Sequence, residues 1–173
     1  ADECRTFLKD LGTNILILPQ IETPRGIATI ESWDCSNIEF SGIGFGSADY
    51  CASTGGDMGK ASLAYGRGKI INAAALYNTL ALDGVWLDFR DPEGCKEETL
   101  YVKTMGFKGR FAIHPDQIKP IHDAYRPTPE ELEWAKGVLE EAKTAGSGAF
   151  KYQGKMVDAP VLAAARLIIS RED

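Results

Sequence analysis

Glu22, Asp49, Asp88, Asp91 and His114 each follow an apolar run in the chain. Gathered at one end of a set of strands, such side chains could hold a divalent ion or move a proton. Carboxylate oxygens are hard donors. Magnesium takes one or two of them and completes its octahedral shell with waters and substrate oxygens. Glu22 and Asp49 end adjacent strands and are the candidate pair. Histidine titrates nearest neutrality and could serve as a general base. The bland alternatives stand beside these readings. Each carboxylate could cap the helix that follows it. His114 is better read as held structurally beside Pro115, and His122 as a surface or packing residue in mid-helix. Arg25 either meets an anionic substrate group or lies exposed. Arg67 and Lys69 are better placed on a solvated face than on a phosphate.

The elements that must position these groups alternate. Residues 1–12 read as the end of a helix stopped by Gly12. Ile15-Leu16-Ile17-Leu18 is a continuous apolar run of the kind buried on both faces of a parallel sheet. Residues 28–33 return to helix. A second strand covers 42–47, a glycine-rich loop 55–59, and a helix about 63–80. Asp83-Gly84 precedes a third strand at 84–89, followed by a helix over 92–105. A fourth strand lies within 107–115. Thr128 as N-cap, Pro129 in the first turn and the acids Glu130 and Glu131 predict a helix over 128–144. Four strand-then-helix units mean a parallel α/β architecture, in which all strand ends of one sense share a rim. Gly42, Gly44 and Gly46 alternate inside a strand instead of opening a helix, so they are no dinucleotide fingerprint. Residues 145–173 differ: a short hairpin around KYQG, the segment MVDAP and a helix over 161–170 form an arm.

Composition narrows the classes. The chain has 173 residues, 44% of them hydrophobic and 25% charged, which fits a folded domain with a core. Nineteen Lys+Arg against 25 Asp+Glu give 19 − 25 = −6. That sign argues against nucleic-acid binding, which needs a basic face. No apolar run is long enough for a membrane helix and no secretory leader is seen, so no membrane partner is expected. Cys4, Cys35, Cys51 and Cys95 contain no C-x-x-C and are read as free thiols of a reducing cytoplasm.

Five segments occur in order: PQIETPRGIATIE, IGFGSADY, YGRGKIINAAALYNTLALDGVWLDFRDPEG, GFKGRFAIHPDQI and GKMVDAP. Together they resemble the citrate lyase beta-subunit-like branch of the HpcH/HpaI aldolase family, which includes citryl-CoA and malyl-CoA lyases. The resemblance runs from about Leu11 to Leu167. It implies a TIM barrel, CoA-thioester substrates and Mg2+. It assigns the metal to Glu22 of IET and to Asp49 of the G-x-x-D segment. It gives Asp158 of MVDAP an acid/base role, carried on an arm that reaches over a neighbouring subunit. The implied reaction is a retro-Claisen cleavage of a 3-hydroxyacyl-CoA to acetyl-CoA and an oxo acid.

A full barrel has eight strands and four are legible. The family's IET segment falls at about the fifth strand. The expectation is therefore the C-terminal half of a barrel (1–144) plus the arm (145–173), within a cytoplasmic homo-oligomer, trimer or hexamer. Two other functions stay open: a class II aldolase acting on free 2-oxo acids, and a non-catalytic fragment that binds CoA or a partner.

Overall fold

The computed structural model describes residues 16–33, 40–145 and 148–172. The expected helix at 1–12, and Cys4 and Cys35, lie outside them. The chain divides into two compact units, Ala1–Tyr125 and Arg126–Asp173.

The first unit is built on a parallel sheet in the order β1-β2-β3-β4, namely Gln20–Ile21, Ile43–Phe45, Ala81–Asp83 and Gly109–Arg110. Helices follow the strands. They are α1 (Pro24–Thr29), α2 (Ser47–Thr54), α3 (Lys60–Leu76), α4 (Pro92–Met105) and α5 (Ile118–Tyr125). Helix α4 has the span expected from the sequence. Pro92 stands in the first turn and Asp91 caps the helix, accepting from Gly94 N–H at 2.9 Å.

Strand β2 shows why the sheet has two unlike faces. Side chains alternate along a strand. Ile43 and Phe45 are fully buried in a core shared with Ile27, Leu63, Ile70 and Val102. Each such side chain contributes roughly 1.5–3 kcal/mol by leaving water. Gly66 of α3 lets the helix settle on Phe45: a Cβ there would lie 2.6 Å from the Phe45 ring. The alternating Gly42, Gly44 and Gly46 fall on the other face. The Phe111 ring lies where a side chain at Gly44 would be, 2.6 Å from an added Cβ.

Three strands differ from the sequence reading. Of the described part of the apolar run, residues 16–18, only Ile17 makes a bridge, to Phe40, and the ladder proper begins at Gln20. The fourth strand is just Gly109–Arg110. The third is not 84–89 but Ala81–Asp83. Asp83-Gly84 looks like a turn locally, but Asp83 is a fully buried strand residue and Val85 to Arg90 form the loop beyond it. Helix α3 stops at Leu76, with Asn78 left-handed at φ 51 just past its end.

The second unit holds α6 (Pro129–Ala145), the antiparallel pair β5 (Phe150–Tyr152) and β6 (Lys155–Val157), and α7 (Ala159–Ile169). Thr128 and Glu131 form a reciprocal cap: Glu131 N–H donates to Thr128 Oγ1 and Thr128 N–H to Glu131 Oε2. Gln153 and Gly154 both have positive φ, as a two-residue hairpin turn requires. Ala135 and Val138 of α6 share a core with Val157 and Ala165. Helix α6 packs with the arm in this second unit.

Candidate metal centre

Glu22 is the first residue past β1, and Gly46 the first past β2. Gly46 N–H donates to Ile21 O at 2.8 Å, which draws the two strand ends together. Gly46 has no side chain to obstruct Glu22. A Cβ there would stand 2.3 Å from Glu22 Cβ and 2.9 Å from Glu22 Oε2. Its φ of −81° is open to any residue, so glycine is required by space alone. Helix α2 begins at the next residue and carries Asp49 in its first turn, where the helix dipole favours an anion. Asp49 is exposed and Glu22 half-buried. Among the described residues neither carboxylate accepts a hydrogen bond or meets a cation. Both are left available, as a metal ligand must be.

The donor set fits a hard octahedral cation. It offers two carboxylates and no soft atom, leaving most of a shell to water and substrate. No group of three His, Cys, Asp or Glu side chains comes together among the described residues. Arg25, in the first turn of α1, is exposed, with no acid paired to its guanidinium among the described residues.

The other rim acids have structural partners. Asp88 accepts from Arg90 N–H at 3.0 Å and Asp91 caps α4. His114 accepts from Asp116 N–H through Nδ1 at 3.2 Å and stacks on Phe89, with ring centroids 4.6 Å apart. These are the capping and holding roles weighed above. Asp158, in the second unit, caps α7: Oδ1 accepts from Val161 N–H at 3.4 Å.

Arg67 departs from the solvated face expected of it. It is 1% exposed and donates through Nε and Nη2 to both oxygens of Asp83, at 3.1 and 3.0 Å. Nη2 also meets Glu98 Oε1 at 2.8 Å. Burial opposes its charge, but Asp83 and Glu98 together outweigh that and raise the guanidinium above its ordinary value. Arg110 adds a second bond to Asp83 Oδ2 at 2.8 Å, and bonds to Gly84 O and Thr99 Oγ1. Lys69 pairs with Glu31. A cavity of about 270 Å³ lies between this cluster and Trp86, and none of its walls comes from Glu22, Asp49 or Arg25.

Residues 2–115 match the family described as HpcH/HpaI aldolase/citrate lyase, and residues 68–172 one described as C–C bond lyases of the TIM-barrel fold. The chain belongs to the HpcH/HpaI aldolase/citrate lyase family. Among this family's proteins, mitochondrial citramalyl-CoA lyase of Rattus norvegicus is 32% identical over 167 residues, covering 89% of this chain and 49% of the relative. The citrate lyase subunit beta-like protein of Mycobacterium tuberculosis is 36% identical over 162 residues, covering 90% of this chain and 59% of the relative. The crystal structure of CitE from Mycobacterium tuberculosis, in complex with magnesium, acetoacetate and coenzyme A, superposes with a TM-score of 0.77 at 32% identity. It covers 92% of this chain and 62% of that one. The chain thus spans about half to three-fifths of the length of these relatives. The family's fold is a TIM barrel, and the four-stranded parallel sheet with its helices is part of one.

Proposed function

We propose that the protein is a magnesium-dependent carbon–carbon lyase that cleaves or forms a 3-hydroxyacyl-CoA thioester such as malyl-CoA or citryl-CoA. The observation that carries this reading is the Glu22–Gly46–Asp49 arrangement: two carboxylates without partners among the described residues, one just past β1 and one in the first turn of the helix that follows β2, with a glycine where a side chain would run into Glu22. The CitE structure named above, with magnesium, an oxo acid and CoA, supports it.

Glu22 and Asp49 would hold the ion. Bound there, magnesium would serve as Lewis acid and template for substrate oxygens. Arg25, free at the start of α1, would meet a substrate carboxylate. Asp158 would carry the proton. In cleavage, with Asp158 starting protonated, the substrate hydroxyl would give its proton to solvent water and become a carbonyl as the C–C bond breaks. The bond's electrons pass to the thioester enolate, which Asp158 protonates. In condensation, Asp158 removes that proton. Its Oδ1 is engaged by the Val161 N–H, which orients the carboxylate, while Oδ2 accepts no bond among the described residues. The Asp158-bearing hairpin and helix favour a thioester lyase over an aldolase of free 2-oxo acids. A cytoplasmic homo-oligomer, trimer or hexamer, in which the arm of one subunit serves its neighbour, completes the proposal.

The test is CoA release from malyl-CoA, citryl-CoA and citramalyl-CoA, with and without Mg2+. Magnesium-dependent release from at least one thioester, lost in Asp49→Ala with the fold retained, is the expected result. Equal release without the metal or without Asp49 would remove the reading. Cleavage of free 2-oxo-4-hydroxy acids in place of thioesters would support the aldolase.

A further inference from the structure

We propose that Gly84 is a positioning residue for Asp49, and that the Arg110–Asp83 cluster acts on the metal centre through it. The inference rests on the reading that Glu22 and Asp49 hold a divalent ion. Gly84 follows β3 directly and faces the start of α2. A Cβ on Gly84 would stand 2.0 Å from Ser47 Oγ, 2.6 Å from Ser47 Cβ and 2.9 Å from Phe45 O. Gly84 is not among the glycines with positive φ, so here too glycine is demanded by space and not by conformation. Ser47 is the first residue of α2 and is 2% exposed. Among the described residues its Oγ is buried with no hydrogen-bond partner. Asp49 lies two residues further along the same helical turn.

The other side of Gly84 is fixed. Its carbonyl accepts from Arg110 Nε at 3.0 Å, and Arg110 is held by Asp83 and Thr99, both fully buried. Gly84 is therefore a rigid stop against which α2 starts. Glu22 is set separately, through the β1–β2 ladder and Gly46. A side chain at Gly84 would push the start of α2 away from β3 and carry Asp49 with it. The separation of the two carboxylates, and not just the stability of the unit, depends on this contact. Magnesium tolerates such a change poorly, because it demands near-ideal octahedral geometry at about 2.0–2.1 Å, whereas calcium accepts about 2.3–2.6 Å and irregular shells.

Mn2+ titration followed by electron paramagnetic resonance, with Mg2+ and Ca2+ as competitors, tests this. Wild type is expected to bind Mn2+, and Asp49→Ala to lose it. Gly84→Ala should weaken Mn2+ binding about tenfold or more and shift the competition from Mg2+ towards Ca2+. Removing the Ser47 side chain in the Ser47→Gly/Gly84→Ala double variant should recover most of the loss. Gly68→Ala, where an added Cβ meets nothing within 4 Å, should bind as wild type does. Should Gly84→Ala fail to fold, Ser47→Thr presses on the same contact from the helix side and should weaken binding about threefold, with the same shift towards Ca2+. Wild-type affinity and ion preference in a folded Gly84→Ala or Ser47→Thr variant would overturn the inference while leaving the two-carboxylate reading intact. So would a double variant no better than the single one. No Mn2+ bound by wild type would overturn both.

Discussion

Asp83 ends β3, Asp49 lies in the first turn of the helix that follows the adjacent strand β2, and the two have opposite surroundings. Asp83 is fully buried and accepts from two arginines, Arg67 and Arg110. Asp49, itself exposed in the first turn of α2, has no partner among the described residues. A carboxylate whose lone pairs are saturated by fixed cations is part of the framework. One left without a partner is available to an ion, as proposed for Asp49 with Glu22. Partner supply, and not residue type or place on the rim, separates structure from chemistry here.

The contrast is sharpest in stability. Asp83→Ala leaves Arg67 and Arg110 buried without their shared anion and should cost about 3–5 kcal/mol in a denaturant titration. A loss below about 1 kcal/mol would mean that the cluster is not what holds β3, β4 and α3 together. Arg110→Lys keeps the charge but cannot reproduce the fork to Gly84 O, Thr99 and Asp83. About 1–3 kcal/mol is expected from the same measurement. Asp49→Ala should lie within about 0.5 kcal/mol of wild type, because it breaks no contact. A large loss there would make Asp49 a framework residue too. Asp158→Asn should also stay within about 0.5 kcal/mol, since asparagine caps a helix as well as aspartate does. It should nevertheless abolish CoA release, which distinguishes a proton carrier from a mere cap.

The smallest effect belongs to Glu31. Its side-chain hydrogen bonds from Lys69 and Asn72 hold its carboxyl below the ordinary 4.5. A depressed value in the folded state stabilises above the unfolded value and is lost as pH falls through the folded one. The difference in melting temperature between wild type and Glu31→Gln should therefore be constant above pH 4.5 and close below it. A gap that widens in acid would reverse the assignment.

Much of this was legible locally. Pro92 with Asp91, and Pro129 with Thr128 and Glu131, mark helix starts within four residues of chain. The two carboxylates of the candidate site were legible because each follows an apolar run at the same sense of strand end. The fate of Asp83 was not. Aspartate before glycine is a turn signal, and what overrides it lies 16 residues away in Arg67 and 27 away in Arg110. The same non-local pairing hid the burial of Arg67, since a charged side chain in a helix is read as solvated until its partner is known. Gly46 and Gly84 were visible as glycines, but only the packing of β1, β2 and β3 shows what each keeps clear.

Glu22 and Asp49 are proposed to share one divalent ion. The most direct test is a crystal grown with Mn2+ in place of Mg2+ and measured for anomalous scattering. A single anomalous peak bonded to an oxygen of each carboxylate is predicted. Two ordered carboxylates turned away from each other, with no peak between them, would contradict it.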